Sequence, residues 1–344
     1  MDPKRRTFLK QAGVATTVAV AGGAGALKTE DVRAAGAGNG AQPSSPTMPR
    51  NLTLLTLRNG EAYSLGVKTE RGILDVKRAV KALKSNAPTT MDALIAGGDQ
   101  GLTDLVGRAV AGANAKGLFL EETNVDFGPC VTNPEKILCV GLNYARHARE
   151  VGQPVPKLPI LFNKYNNALN SHLGTVRVSR IPAERFDYEA ELVIVIGRRA
   201  RDVSEVEALS YMLGYANGND FSARDLQSRS SQWMIGKTCD GFALLGPYLV
   251  TADLVGDPNN LKIECKVNGE VRQSSNTNDM VFNCAQLVSY ASKLMTLEPG
   301  DIMFTGTPEG VIGGYPKEKQ VWLKPGDRLT TSIEKLGELR FSLT

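Results

Sequence analysis

Residues 189–197 read Glu-Ala-Glu-Leu-Val-Ile-Val-Ile-Gly, a continuous apolar run led by two glutamates one residue apart and closed by glycine. The run has the composition of a buried strand. In a strand, residues i and i+2 point to the same face, so Glu189 and Glu191 leave the sheet side by side. Two like charges at that spacing repel, and in a buried strand solvent does not screen them. A divalent cation between them resolves the conflict. An exposed edge pair of glutamates is the plainer alternative, and these residues alone leave it open.

Asp220 adds a third carboxylate at the polar tip of a second strand-like run, Leu213-Gly214-Tyr215-Ala216-Asn217-Gly218-Asn219-Asp220. Three carboxylates without nearby His or Cys are hard ligands that select Mg²⁺ or Mn²⁺, with Ca²⁺ as a third candidate, over Zn²⁺ or Cu²⁺. Mg²⁺ keeps water positions that substrate oxygens can take, which points to a catalytic ion. With two histidines and no Cys-x-x-Cys pair in 344 residues, His-rich and zinc-ribbon sites are excluded. One histidine has a partner. His147 and Glu150 follow the strand-like run KILCV, three apart on a predicted helix, and a carboxylate there orients an imidazole as a base. Surface His/Glu pairs at that spacing are common, so the pair is weak by itself. His172 has no partner at useful spacing and reads as non-catalytic. Lys164 and Lys237 each follow an apolar stretch, where a buried cation meets substrate anions or a surface lysine snorkels. Thr307 lies in Thr305-Gly306-Thr307-Pro308, a strand-to-turn end suited to an anion. Cys239 has no paired base and reads as structural.

From Lys136 onward strands predominate: KILCVGLN, PILFNK, TVRVSR, ELVIVIGR, MLGYANGND, GPYLVT, LKIECKVNG, DIMFTGTP, RLTTSIEKLG and ELRFSL. Helical periods interrupt at 143–151, 203–212 and 283–296. The expected class is α+β, mostly β, folded on itself as a sandwich or roll. Residues 52–76 read as a β-meander with turns at Asn59-Gly60 and Arg71-Gly72, followed by two or three short helices to about 110. The expected organisation is a small α+β domain at 51–125 and a β-rich catalytic domain at 136–344. Ahead of these, residues 1–35 combine Arg5-Arg6, Phe8-Leu9-Lys10 and a mild Ala/Gly/Val run, the form of a twin-arginine signal peptide, and 36–50 read as a flexible linker. The expectation is an exported, periplasmic bacterial protein that meets the twin-arginine translocon in transit and is membrane-free when mature. Lys and Arg total 40 against 36 Asp and Glu, too even a balance to suggest nucleic-acid binding. Five cysteines in a chain of this length form no disulfide scaffold.

Several segments in order resemble the fumarylacetoacetate hydrolase family: GLNYARHAREVG at 141–152, FDYEAELVIVIGRRARDV at 186–203, GNDFSARDLQ at 218–227, QWMIGKTCDGFALLGPYLVT at 232–251 and DIMFTGTPEGV at 301–311. The resemblance covers residues 136–344 and implies a mixed β-roll holding Mg²⁺ or Mn²⁺, usually in a homodimer. By motif position it implies Glu189, Glu191 and Asp220 as metal ligands, His147 and Glu150 as a water-activating dyad, and Lys237 as a stabiliser of negative charge. Arg224, Gln227, Lys164 and Thr307 would hold substrate oxygens. Tyr165-Asn166-Asn167-Ala168 and Ala243 depart from the family pattern. The expected activity is metal-dependent hydrolysis of a C–C bond in a 2,4-dioxo acid of the acylpyruvate type. The alternatives are decarboxylation, isomerisation or hydration of a 2-oxo acid, a ureidoglycolate-type lyase, and a non-catalytic metal-holding binding protein.

Overall fold

The structure, a computed structural model, describes residues 46–344 apart from 114 and 116. The signal-peptide reading of residues 1–35 and most of the linker lie outside the described residues. The chain begins with an antiparallel meander of β1 (Thr53–Asn59), β2 (Ala62–Thr69) and β3 (Gly72–Asp75). Three helices follow: α1 (Val76–Leu83), α2 (Met91–Gly97) and α3 (Leu102–Ala111). The side chains of Asp75 and Thr90 cap the first two by accepting the N–H groups of Arg78 and Ala93. A short β4 (Phe119–Leu120) then returns to β3.

The β-rich part starts with β5 (Ile137–Gly141), α4 (Ala145–Glu150), β6 (Ile160–Lys164), β7 (Leu169–Ser171), β8 (Thr175–Val176) and β9 (Phe186–Asp187). It continues through β10 (Ala190–Ile196), α5 (Glu205–Ala208), β11 (Met212–Asp220), β12 (Ser222–Ala223), α6 (Arg224–Gln227), α7 (Met234–Lys237), β13 (Ala243–Thr251) and α8 (Ala252–Val255). It closes with β14 (Lys262–Val267), β15 (Glu270–Asn276), α9 (Cys284–Leu294), β16 (Ile302–Phe304), β17 (Arg328–Ile333) and β18 (Gly337–Leu343).

An 11-stranded mixed sheet runs β4-β3-β2-β1-β13-β11-β10-β16-β5-β6, with β7 added in parallel beside β13. A five-stranded sheet, β15-β14-β17-β18-β8, packs over β10, β11 and β13. The class is therefore α+β with β dominant, as the residue pattern predicts. The meander of residues 53–75 extends the main sheet directly, because Thr53 and Leu54 pair with Val250 and Leu249 of β13. All of β10 is buried, from Ala190 to Ile196, which is why its sequence shows no polar alternation. Buried amides tie the two sheets together. Asn217 donates to the carbonyls of Thr331 and Gly337, and Asn219 to the hydroxyl of Thr331.

One expectation of local structure is corrected, and one strand has no signal in the sequence. The run TVRVSR is strand only at Thr175–Val176, and Val178–Arg180 forms a 3₁₀ turn. The strand β15 lies in VRQSSN, whose polar residues carry no strand signal, and is held in place by pairing with β14. The helix at 283–296 forms at Cys284–Leu294, with a reciprocal capping box between Asn283 and Gln286.

The topology places four chain segments at one end of the sheet. β10 is antiparallel to β11 and β16, and β16 is parallel to β5. The start of β10 therefore meets the ends of β11, β16 and β5, each of which leads into a loop.

Candidate metal centre and cavity

Asp220 closes β11 directly across from Glu189, and its N–H donates to the Glu189 carbonyl at 2.9 Å. Glu191 is two residues further along the face of Glu189. One carboxylate oxygen from each of the three lies within 4.8 Å of the others, and all three residues are buried. The cluster is surrounded by cations. The Lys237 ammonium donates to Glu189 at 2.6 Å and to Asp220 at 2.9 Å, and Arg224 pairs with Glu189 at 2.7 Å. Glu191 accepts the Gly306 N–H at 2.7 Å. Gly306 has φ 98°, and a Cβ there would sit 2.7 Å from that of Asn143, so only glycine brings this N–H to the carboxylate.

The surroundings shift the two glutamates in opposite directions. Burial raises both. At Glu189 the charges of Lys237, Arg224 and His147 outweigh it and hold the carboxyl at about 2. At Glu191 the charges of Asp220 and Glu189 add to burial and push the carboxyl well above the carboxylate range. Three clustered carboxyl oxygens, one of them unwilling to ionise without added positive charge, fit a hard divalent cation. Asp220 Oδ1 fits the same reading, since it is buried and accepts no hydrogen bond. Lys164 lies 2.5 Å from that oxygen but is not aligned to donate to it.

A cavity of about 700 Å³ opens on the cluster. Of the expected site residues, His147, Glu189, Glu191, Arg224, Gln227, Lys237 and Thr307 line it. His147 Nδ1 is 2.8 Å from Glu150 Oε1, and Glu150 also accepts the Gly310 N–H at 2.9 Å. A carboxylate only accepts, so Nδ1 carries the proton and Nε2 is the free ring nitrogen. Arg224 is fixed by Asp187 at 2.9 Å and Gln227 at 3.1 Å, and its buried Nη2 has no partner within the protein. The Thr307 hydroxyl donates to the Ala190 carbonyl at 2.9 Å and accepts from Gln273 at 2.8 Å.

Lys164 is placed differently from the expectation of substrate contact. Its ammonium is buried among the carbonyls of Phe221, Lys237 and Phe242 and is not part of the cavity wall. It braces the chain around the cluster. The atypical segment after it does the same. Asn167 donates to the Thr238 carbonyl and to Asp240, which pins the turn that follows Lys237. His172 is buried away from the cavity, with Nδ1 accepting the Arg340 N–H at 3.2 Å and its ring edge-on to Phe127. The five cysteines are free, and burial pushes the Cys239 thiol up.

Asp187 escapes the sequence reading. It accepts N–H groups from Tyr188, Ile312 and Gly313, each at 2.9 Å, besides holding Arg224. Its only signal in the sequence is its place two residues before Glu189. Gln273, Trp233 and Arg185 were missed as well, since single polar or aromatic residues in variable runs carry no spacing signal. Trp233 packs edge-on to Phe162 beside Gly141, and Arg185 lies 5.9 Å over the Trp322 ring at the cavity wall.

The family model described as fumarylacetoacetate (FAA) hydrolase C-terminal matches residues 136–344. The chain belongs to the fumarylacetoacetate hydrolase family. The fumarylacetoacetate hydrolase domain-containing protein 2 homolog of Dictyostelium discoideum is 41% identical over 81% of this chain and 92% of its own. A mitochondrial oxaloacetate tautomerase of Xenopus laevis is 45% identical over 64% of this chain and 69% of its own. Among solved structures, the fumarylpyruvate hydrolase of Pseudomonas aeruginosa in complex with Mn²⁺ and pyruvate is 36% identical, with TM-score 0.56 over 62% of this chain and 91% of that one. These comparisons correct the expectation of an exported, periplasmic protein, because similar proteins from Xenopus laevis, Bos taurus and other animals are named as mitochondrial. Among the described residues no helix is long and apolar enough to cross a membrane.

Proposed function

We propose that the protein is a divalent-cation-dependent enzyme that moves a proton at C3 of a 2-oxo diacid, interconverting the keto and enol forms of an oxaloacetate-like substrate. The observation that carries this reading is the convergence of the buried Glu189–Glu191–Asp220 cluster and the free Nε2 of His147 on one cavity. Relatives named oxaloacetate tautomerases at 41–45% identity support it. Glu189, Glu191 and Asp220 would hold Mg²⁺ or Mn²⁺. Such an ion supplies Lewis acidity toward the carboxylate and 2-keto oxygens of the substrate.

The remaining steps belong to the chain's own residues. Arg224, with its unpartnered Nη2, and Gln227 bind substrate oxygens, and Lys237 adds positive charge beside them. His147 Nε2 takes the C3 proton, the electron pair closes the C2=C3 double bond, and the imidazolium returns the proton to the 2-oxygen. Glu150 holds the ring in the tautomer this requires. Arg185 and Lys317 on the cavity wall offer charge to a second carboxylate, which favours a diacid over a monoacid.

A second reading, hydrolysis of the C3–C4 bond of an acylpyruvate, is favoured by the His147–Glu150 dyad, an arrangement that also activates water. The test follows oxaloacetate and acetylpyruvate in parallel, by enol absorbance, with Mg²⁺ or Mn²⁺ and then with excess chelator. Cation-dependent acceleration of oxaloacetate enol decay without release of CO₂ is the expected result. Cation-dependent loss of acetylpyruvate alone would replace this reading with hydrolysis. The homodimer implied by the family is checked by the solution mass of the same preparation.

A further inference from the structure

A second cavity, of about 680 Å³, shares no lining residue with the first. One stretch of chain contributes to both. Lys237 faces the catalytic cavity, whereas Cys239, Asp240 and Gly241 line the second. Three arginines also line this cavity: Arg58 from β1, and Arg177 and Arg180 at the 3₁₀ turn after β8. None of them is in an ion pair among the described residues. Arg58 is the most confined. Its Nη2 makes one long hydrogen bond to the Ser171 hydroxyl at 3.5 Å, its guanidinium lies 5.8 Å from the Tyr63 ring centroid, and its buried Nε has no partner. The single acidic lining residue among the described residues, Asp240, already accepts from Asn167 at 2.8 Å.

A buried guanidinium donor without an acceptor, here Arg58 Nε, is unfavourable unless an acceptor arrives, whereas the exposed Arg177 and Arg180 are hydrated and add positive charge beside it. In the catalytic cavity Arg224 has two carboxylates, Asp187 and Glu189, within 2.9 Å. In the second cavity no carboxylate among the described residues plays that part, which leaves Arg58, Arg177 and Arg180 open to an outside acceptor. We propose that this cavity is a second ligand site, for a small organic polyanion that carries two or more carboxylate or phosphate groups. The fork of a guanidinium matches both groups in bidentate fashion, so three arginines recognise charge and oxygen geometry together. Tyr63, Leu169, Ile181 and Pro182 offer apolar surface to a short carbon frame between the anionic groups. Inorganic monoanions such as chloride satisfy neither requirement.

The test is calorimetric titration of the full chain with citrate and with pyrophosphate, at constant ionic strength set by sodium chloride. The same titrations use the Arg177→Ala/Arg180→Ala chain, whose altered residues lie exposed on a surface turn, and a separate Arg58→Gln chain. Saturable binding to the wild type, at least tenfold weaker in both variants with turnover in the catalytic cavity retained, is the expected result. Preference for citrate assigns a carboxylate ligand, and preference for pyrophosphate a phosphate ligand. Equal binding to all three chains, or no saturable binding of either probe at millimolar concentration, would overturn the proposal. Because turnover is read separately, this outcome leaves the proposed reaction untouched.

Discussion

The chain has two histidines, both buried, and their surroundings differ in every respect that matters to chemistry. His147 sits on α4 with Nδ1 against the Glu150 carboxylate and the other nitrogen free in a residue of the cavity wall. His172 has Nδ1 against a backbone N–H and its ring against Phe127, and burial together with the charge of Arg340 lowers its pKa to about 4. A carboxylate partner favours the imidazolium that a general base must become, whereas a backbone donor and an aromatic edge keep the ring neutral. The first environment suits proton transfer and the second suits packing. Burial alone does not distinguish them; the partner of one nitrogen does.

The largest expected effect tests whether His147 works without the carboxylate cluster beside it. Glu191→Gln removes one of the three proposed ligands, and the account predicts that calorimetric Mn²⁺ binding is lost and turnover falls to background. Retained turnover in that variant would separate the histidine from the cluster. Next, His147→Gln is expected to lower kcat by about 10²–10⁴-fold, the usual contribution of a positioned general base, with Mn²⁺ affinity unchanged. Glu150→Gln should cost less, about 10–100-fold in kcat, because it loosens the tautomer and orientation of a ring that stays in place. Its pH–rate profile should shift, which a purely structural role for Glu150 would not produce.

The smallest effect on activity, and a distinct one on stability, belongs to His172. Its folded pKa, about 4, lies below the ordinary histidine value of 6.5. The unfolded chain therefore binds the proton first, and the contribution to stability is complete above 6.5 and is lost as pH falls toward 4. Denaturant midpoints at pH 7 and pH 4 should show this loss in the wild type and not in His172→Gln, whose turnover at pH 7 should match the wild type. A variant with the same acid slope would place the titrating group elsewhere.

What was legible in the sequence follows from the same physics. The spacing of Glu189 and Glu191 and the three-residue step from His147 to Glu150 are fixed by strand and helix geometry, so they survive folding intact. Asp220 was legible as a strand tip, and the register of β10 with β11 puts it opposite Glu189. Partners that meet only through tertiary contact were not legible. Asp187 gathers three N–H groups, two of them from residues more than a hundred positions away. Lys164 illustrates the reverse case, since an apolar stretch before a lysine announces burial but not its partners, here three backbone carbonyls and the Asp220 carboxylate. The polar strand β15 had no periodic signal because its place is set by β14. The compartment suggested by the first 35 residues was corrected by the relatives rather than by the fold.

The most direct test of the account is hydrogen exchange at C3 of pyruvate, followed by NMR in D₂O, because proton removal from that carbon opens tautomerisation and is the reverse of the enolate protonation that ends the hydrolytic alternative. Wild-type protein loaded with Mg²⁺ or Mn²⁺ should exchange the C3 protons well above the uncatalysed rate, and chelator or His147→Gln should return the rate to background. Exchange that persists in the chelated protein or in His147→Gln, or no exchange with the cation bound, would contradict it.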